Sequence, residues 1–553
     1  MSKSNDQLNG TMLQGFTWNL PPDGQHWRRL AQMADRLVNE GITSVWLPPA
    51  YKGVRGIEDV GYGVYDLWDL GEFDQRGGIP TKYGTRKDFS SLVIALQQAG
   101  IDVLADVVLN HKMGADALEE VNARRVATDN RLYDIGELEP MEAWTRFEFP
   151  GRAGELDDFV WDWECFKGVD YDAKSGENGI WLFEGKSWDS DVNQEMGNFD
   201  YLMGCDIDLH NEKVYKQLLK WGAWFVKESG VEGLRLDAVK HMSRDFYIRW
   251  LTDLRKLVKR DLFAVGEYWA FSADELSAYL GSECVMSLFD VPLHFAFYQA
   301  SVDREHINFA HILDCAFVSR DPIHTVTFVD NHDTQPNQSL ESTVQPWFKP
   351  VAYTIILLRE GGYPCVFFAD MYGLPSDAIP AVAELPLLME IRRRYAYGAQ
   401  HDYLNEADLA GWTREGSGDG DGLAVVLCNR AFPGDEQYEE PVAEEPHDAP
   451  NEGETADGAF EDDTPTDGGN VLNEPEEAQQ QDRKPSAWPT MEMYVGSAHA
   501  GETWRCVMGD GSVVTIDDNG MGRFPASSSM MASIYLPEVA ANGLNHIPIV
   551  MSR

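Results

Sequence analysis

Short apolar runs rich in β-branched and aromatic residues recur along the chain at 12–18, 42–47, 102–110, 233–238, 262–267, 285–289, 325–330 and 365–369, each bounded by Gly, Pro or Asp. Between them lie stretches with helical periodicity. In 211–227, for example, Val214, Leu218, Trp221 and Phe225 line one face, a stripe suited to covering the outside of a parallel sheet. Eight strand and helix alternations predict an α/β protein. With both sheet faces covered, a closed (β/α)8 barrel is favoured over an open doubly wound sheet.

The alternation breaks after the third strand, where 112–204 is far longer than an ordinary connection. Its many Trp and Phe residues (Trp144, Phe147, Phe149, Trp161, Trp163, Trp181) predict a folded, β-rich inserted domain rather than disorder. The barrel is then expected over 1–111 and 205–400, with an eighth helix near 384–397. Strand-like runs within 401–553 predict a C-terminal antiparallel β-sandwich. Into it falls a segment of different character, about 432–486. Residues 431–490 carry eighteen Asp or Glu against two basic residues, a composition that cannot bury enough surface to order itself, so a disordered acidic loop is expected.

Charge and cysteines narrow the partners and the compartment. A net charge of -46 over 553 residues opposes nucleic-acid and anionic-membrane partners, since phosphates are repelled. No segment has the length of a signal-peptide core or a membrane span, so a cytoplasmic protein is expected, and a monomer. The seven cysteines (165, 205, 284, 315, 365, 428 and 506) show no CxxC spacing for zinc or redox work and read as reduced, buried thiols.

Four strand candidates run into ionisable clusters: DVVLNH (106–111), GLRLDAVKH (233–241), VGEYW (265–269) and FVDNHDT (328–334). On a barrel these ends share the C-terminal rim. Asp237, Glu267 and Asp333 would then meet over one pocket, and two of them can serve glycoside hydrolysis, Asp237 as nucleophile and Glu267 as proton donor. Arg235, two residues before Asp237, lies on the same strand face and can keep that carboxylate ionised. His111 and His332 can donate to sugar hydroxyls, and Tyr62, Trp18 and Trp269 offer flat faces for pyranose rings.

These four segments resemble the signature regions of glycoside hydrolase family 13, the α-amylase family. NGTMLQGFTW, VWLPPAYKG, DVGYGVYDL, FDVPLH and QSLESTVQPWFKP extend the likeness to the bacterial liquefying α-amylases over nearly the whole chain outside the acidic segment. The resemblance implies an α-amylase: retaining endohydrolysis of α-1,4-glucans such as starch, glycogen and maltodextrins, with Asp237 as nucleophile, Glu267 as acid/base and Asp333 as transition-state stabiliser. A glucanotransferase using the same acids, or a non-catalytic glycan-binding protein, are the alternatives. Arg235, His111 and His332 become active-site hydrogen bonders and Tyr62 a stacking platform, with Lys240 and Trp269 on the aglycone side. The resemblance also implies one principal calcium, held by Asn110, Asp200, Asp206 and the carbonyl of His241. A second calcium and a sodium are not expected: Lys167 and His210 stand where ligand acids would be, and the Lys167 ammonium is expected to pair with Asp189 and Asp200 in their place.

Overall fold

The computed structural model describes residues 9–374, 376, 379–418, 420–430, 489–527 and 530–550, so the acidic segment lies outside the described residues. Eight short strands form a closed parallel barrel: β1 (Met12–Gln14), β2 (Ser44–Leu47), β3 (Asp102–Val107), β4 (Gly233–Leu236), β5 (Phe263–Gly266), β6 (Ser287–Phe289), β7 (Thr325–Phe328) and β8 (Tyr363–Phe367). They follow chain order around the ring, and β8 pairs back with β1 through Leu13 and Val366. The eight expected strands are all present. Several end earlier than expected: β1 stops at Gln14 rather than at 18, β3 at Val107 rather than at 110, and β8 at Phe367 rather than at 369, because Phe368 already opens a helix, Phe368–Tyr372.

Helices cover the outside of the ring. The stripe read from the sequence forms Glu212–Ser229, with Val214, Leu218, Trp221 and Phe225 all buried. The Asn211 side chain accepts from Lys213 N at its start, and Gly230 takes the left-handed conformation at its end. Helix Arg86–Gln98 begins with a reciprocal capping box between Thr85 and Asp88. The helix expected near 384–397 spans Leu385–Arg394.

The long excursion after β3 folds as a six-stranded sheet in the order His111–Lys112, Cys205–Ile207, Phe166–Asp172, Glu177–Phe183, Ala117–Val126 and Glu139–Arg146. Its first two strands are the chain's exit from and return to the barrel, so this sheet begins at the rim itself. Towards the C-terminus, Gln400–Tyr403, Leu409–Arg414, Leu423–Cys428, Ala532–Pro537, Thr503–Gly509 and Val513–Thr515 form an antiparallel sheet. The antiparallel two-stranded ribbon of Thr490–Tyr494 and Met521–Pro525 packs on it, Phe524 meeting Trp504 and Tyr535 with ring centroids 6.0 and 5.1 Å apart. The expected sandwich is therefore one broad sheet faced by a ribbon.

Five cysteines are buried as expected, but Cys315 is exposed and Cys284 half-buried. Both sit in loops, where local apolar pattern says little about burial.

Candidate active site

The register of β3, β4 and β5 sets the centre of the rim. Arg235 on β4 pairs with Asp106 on β3 and Val265 on β5, which puts its side chain between the ends of both neighbours. The guanidinium, 1% exposed, is shared by three carboxylates. Nη1 lies 2.9 and 3.1 Å from the two oxygens of Asp106 and 2.6 Å from Asp237 Oδ1, while Nη2 lies 2.9 Å from Glu267 Oε2. One rigid fork thus fixes the two carboxylates expected to do the chemistry, side by side.

Asp106 was not among the residues singled out from the sequence. Besides Arg235 it accepts from Tyr62 OH at 2.8 Å and Trp46 Nε1 at 3.0 Å, which ties the aromatic wall to the charged centre. A signal existed: a carboxylate inside the apolar run VLADVV must be buried, and a buried carboxylate needs a cation.

Directly after Asp237 the chain turns through Ala238, whose φ of 51° is left-handed, an uncommon conformation for a residue with a β-carbon. That turn aims Ala238 N at Glu267 Oε2, 3.2 Å away. Burial raises the pKa of Asp237 to about 6, against the attraction of Arg235 and with the repulsion of Asp106 adding to it. Burial likewise raises Glu267, with Arg235 opposing and Asp237 reinforcing. Asp333 is pushed up further by burial and by the nearby Glu267.

Asp333 comes from the loop after β7, where Asn331 Oδ1 accepts from Asp333 N and Thr334 N at 2.8 and 3.0 Å. The loop is anchored from below. Thr334 Oγ1 and Val344 N donate to Asp330 Oδ1, and Lys349 Nζ holds Asp330 Oδ2 at 2.8 Å while also bonding Asp370. His332 Nδ1 lies 2.9 Å from Gln14 Nε2 and its Nε2 3.3 Å from Asp333 Oδ2. In the assigned amide orientation the imidazole proton sits on Nε2. Burial lowers the His332 pKa well below its usual value, so the ring is neutral at neutral pH.

Tyr62, Trp18 and His332 lie nearly parallel, Tyr62 making angles of 2° with Trp18 and 15° with His332, and form one flat flank of the rim. His111, expected to reach a sugar hydroxyl, instead has Nε2 on the Tyr62 carbonyl at 2.8 Å and Nδ1 3.3 Å from Asn110 Nδ2. It steadies the platform. On the other flank Lys240 Nζ donates to the Trp269 carbonyl and to Glu195 Oε1, each at 2.8 Å, and the Trp269 ring rests against Phe295. Glu195, from the excursion sheet's last loop, is a second residue the sequence reading did not find.

The four residues expected to hold calcium are drawn together where the excursion sheet meets the barrel. Ile207 N donates to the Asn110 carbonyl at 3.0 Å, Asp206 pairs with His111 across the sheet, and His241 Nδ1 lies 2.8 Å from the Phe199 carbonyl, next to Asp200. Asp200 Oδ1 is buried and makes no hydrogen bond. With the Asn110 amide nitrogen turned to His111, its oxygen is left as a hard donor. These residues fit a calcium ion. Lys167 extends the same cluster, its Nζ 2.5 Å from Asp200, 3.1 Å from Asp189 and 3.3 Å from Asp206, all at 1–2% exposure. Asp206 is a partner beyond the two expected. His210, 68% exposed, approaches Asp189 from outside at 2.9 Å.

Paired carboxylates on a barrel rim, beside rings broad enough to seat a pyranose, define a glycoside hydrolase. Residues 27–375 match the family described as Alpha amylase, catalytic domain. The chain is 42% identical over 537 residues to an α-amylase of Bacillus licheniformis, covering 96% of this chain and 94% of that one. It is 42% identical over 437 residues to the cytoplasmic α-amylase of Escherichia coli, covering 76% and 88%. Among solved structures an Anoxybacillus α-amylase superposes with a TM-score of 0.58 at 15% identity, over 97% of this chain and 99% of that one, a likeness of fold. The chain belongs to the α-amylase family.

Proposed function

We propose that this enzyme hydrolyses internal α-1,4-glucosidic bonds of starch-type glucans with retention of configuration. The observation that carries the reading is the single Arg235 guanidinium shared by Asp106, Asp237 and Glu267 at the ends of three adjacent strands. An Asp237 oxygen attacks the anomeric carbon while protonated Glu267 gives its proton to the departing glycosidic oxygen. The ester that results is opened by water, whose proton returns to the Glu267 carboxylate. Burial raises the pKa of Glu267, which favours the protonated form an acid needs, and Arg235 favours the anionic form of Asp237 beside it. Asp333 supplies negative charge opposite the developing oxocarbenium ion, and neutral His332 donates from Nε2. Tyr62 seats the ring being cleaved, and Lys240 with Trp269 borders the leaving chain.

Asn110, Asp200, Asp206 and the His241 carbonyl would hold one calcium, which supplies positive charge between barrel and excursion sheet. The Lys167 ammonium occupies the neighbouring position among the carboxylates, so metal analysis after desalting should find one tightly held calcium per chain. A cytoplasmic place of action is supported by the relative of that name, and fractionation of producing cells tests it. For the reaction, maltoheptaose with calcium should give shorter maltooligosaccharides that are α-configured by NMR, formed at least about 100-fold more slowly in Asp237→Asn and Glu267→Gln. Products longer than the substrate would make the enzyme a transferase. No turnover would overturn the reading.

A further inference from the structure

Cys284 is the half-buried cysteine that nothing in the reaction uses. It lies in the turn between helix Ala273–Leu280 and β6, at a φ of +29°. Asp321 and His324 lie in the DPIH loop immediately before β7. Strands β6 and β7 are neighbours, and Leu288 N donates to the His324 carbonyl at 2.9 Å, so both loops open onto the N-terminal mouth of the barrel, the end opposite the carboxylate rim. One ligand atom from each of Cys284, Asp321 and His324 lies within 4.8 Å of the other two.

Two of the three side chains are already set in place. His324 Nδ1 is 2.9 and 3.0 Å from the two Asp321 oxygens, and Asp321 Oδ1 also accepts from the backbone N–H of His324 at 3.1 Å. The Asp321 backbone is held in turn, its N–H on the Phe317 carbonyl and its own carbonyl bonded by Thr325 Oγ1. The Cys284 thiol makes only a long contact of 3.8 Å with the Met286 carbonyl. Arg244, a cation near this turn, is engaged on the carbonyls of Tyr279 and Leu280.

Thiolate, imidazole and carboxylate together are the donor set of a zinc-type ion, which accepts all three at about 2.0–2.3 Å, whereas calcium and magnesium ask for oxygen alone. We propose that Cys284, Asp321 and His324 form a three-ligand site for a zinc-type divalent ion, with water as the fourth ligand, at the mouth of the barrel opposite the active site. Tetrahedral bonds of that length set ligand atoms roughly 3.3–3.7 Å apart. Asp321 and His324, already 2.9–3.0 Å apart, would exchange their hydrogen bond for the ion, and the Cys284 thiol, within 4.8 Å of both, would supply the third ligand. Bound there, the ion staples the approaches to β6 and β7, and its effect is on stability rather than on the glycosidic step.

Cobalt(II) is the probe, added to the full-length calcium-loaded enzyme. A near-ultraviolet thiolate-to-cobalt band should rise to saturation at one equivalent and be displaced by zinc. Cys284→Ser should abolish the band while leaving glucan hydrolysis unchanged, which shows that the variant is folded. His324→Gln should weaken cobalt binding about tenfold or more, since even outer-shell partners cost 10–100-fold. Cys315→Ser, which removes the exposed cysteine, should change nothing. Absence of the band, its survival in Cys284→Ser, or its loss in Cys315→Ser would each overturn the site.

Discussion

Replacing Lys167 by Met removes one positive charge from among three carboxylates that water does not reach. The ammonium lies 2.5, 3.1 and 3.3 Å from Asp200, Asp189 and Asp206, and burial works against its charge. The three carboxylates outweigh that burial and raise its pKa, so it is a permanent cation. At these distances each pair is worth about 5 kcal/mol at an effective dielectric constant of 20, less the cost of desolvating the lysine. Removing one partner of a buried ion pair typically costs about 3–5 kcal/mol, and three stranded acids put this case at the upper end. Expressed in the unfolding rate, such a loss shortens the thermal inactivation half-life by about 100-fold or more. The assay is that half-life in chelator, in sodium and in millimolar calcium, for Lys167→Met and the parent. The variant should be far weaker in chelator and regain much of the difference as added cations fill the oxygen-lined gap, binding at least one metal more than the parent. A variant as durable as the parent in chelator, or one that gains no more from added cations than the parent does, would refute the assignment of Lys167 as an internal counter-ion.

Asp237→Asn should be stabilising above pH 7 by on the order of 2–3 kcal/mol and neutral at pH 4. A carboxyl whose folded pKa is raised to about 6 favours folding while protonated and loses that contribution as pH rises through 6, which denaturant titrations at both pH values will register. The kcat/KM profile should be bell-shaped, with an acid limb near pH 6 from the coupled carboxylates and an alkaline limb that disappears in the residual activity of Glu267→Gln, itself about 10²–10⁴-fold down. Asp106→Asn, which frees Arg235, Tyr62 and Trp46 at once, should lower kcat more than it raises KM. Lys349→Met, behind the active-site loop, should cost about 3–5 kcal/mol in denaturant unfolding by leaving Asp330 and Asp370 without their cation.

The barrel was legible because its eight strands are buried on both faces, and burial writes continuous apolar runs into the sequence. The acids at the strand ends stood out against those runs, which is how Asp237 and Glu267 came to notice. Asp106 did not, because it lies one turn of the pleat inside its strand and its partner is 129 residues away. Only the β3–β4 register, which the sequence does not state, sets it opposite Arg235. The triad of Lys349, Asp330 and Asp370 was hidden for the same reason, as was the meeting of Glu195, in a loop of the excursion sheet, with Lys240 on the barrel. His111 was identified as part of the site, but its direction was not: the carbonyl of Tyr62 claims the nitrogen that a sugar was expected to take.

The sharing of Arg235 among several acids has one further consequence. Asp106, Asp237, Glu267 and Asp333 face a single guanidinium, so even with a proton or two retained the C-terminal rim of the barrel is short of positive charge. A neutral glucan bound there leaves that shortage unrelieved until its ring begins to ionise. A sugar mimic carrying a protonated ring nitrogen would relieve it on arrival, and would be held the more tightly as rising pH strips the last protons from the acids while the nitrogen keeps its own.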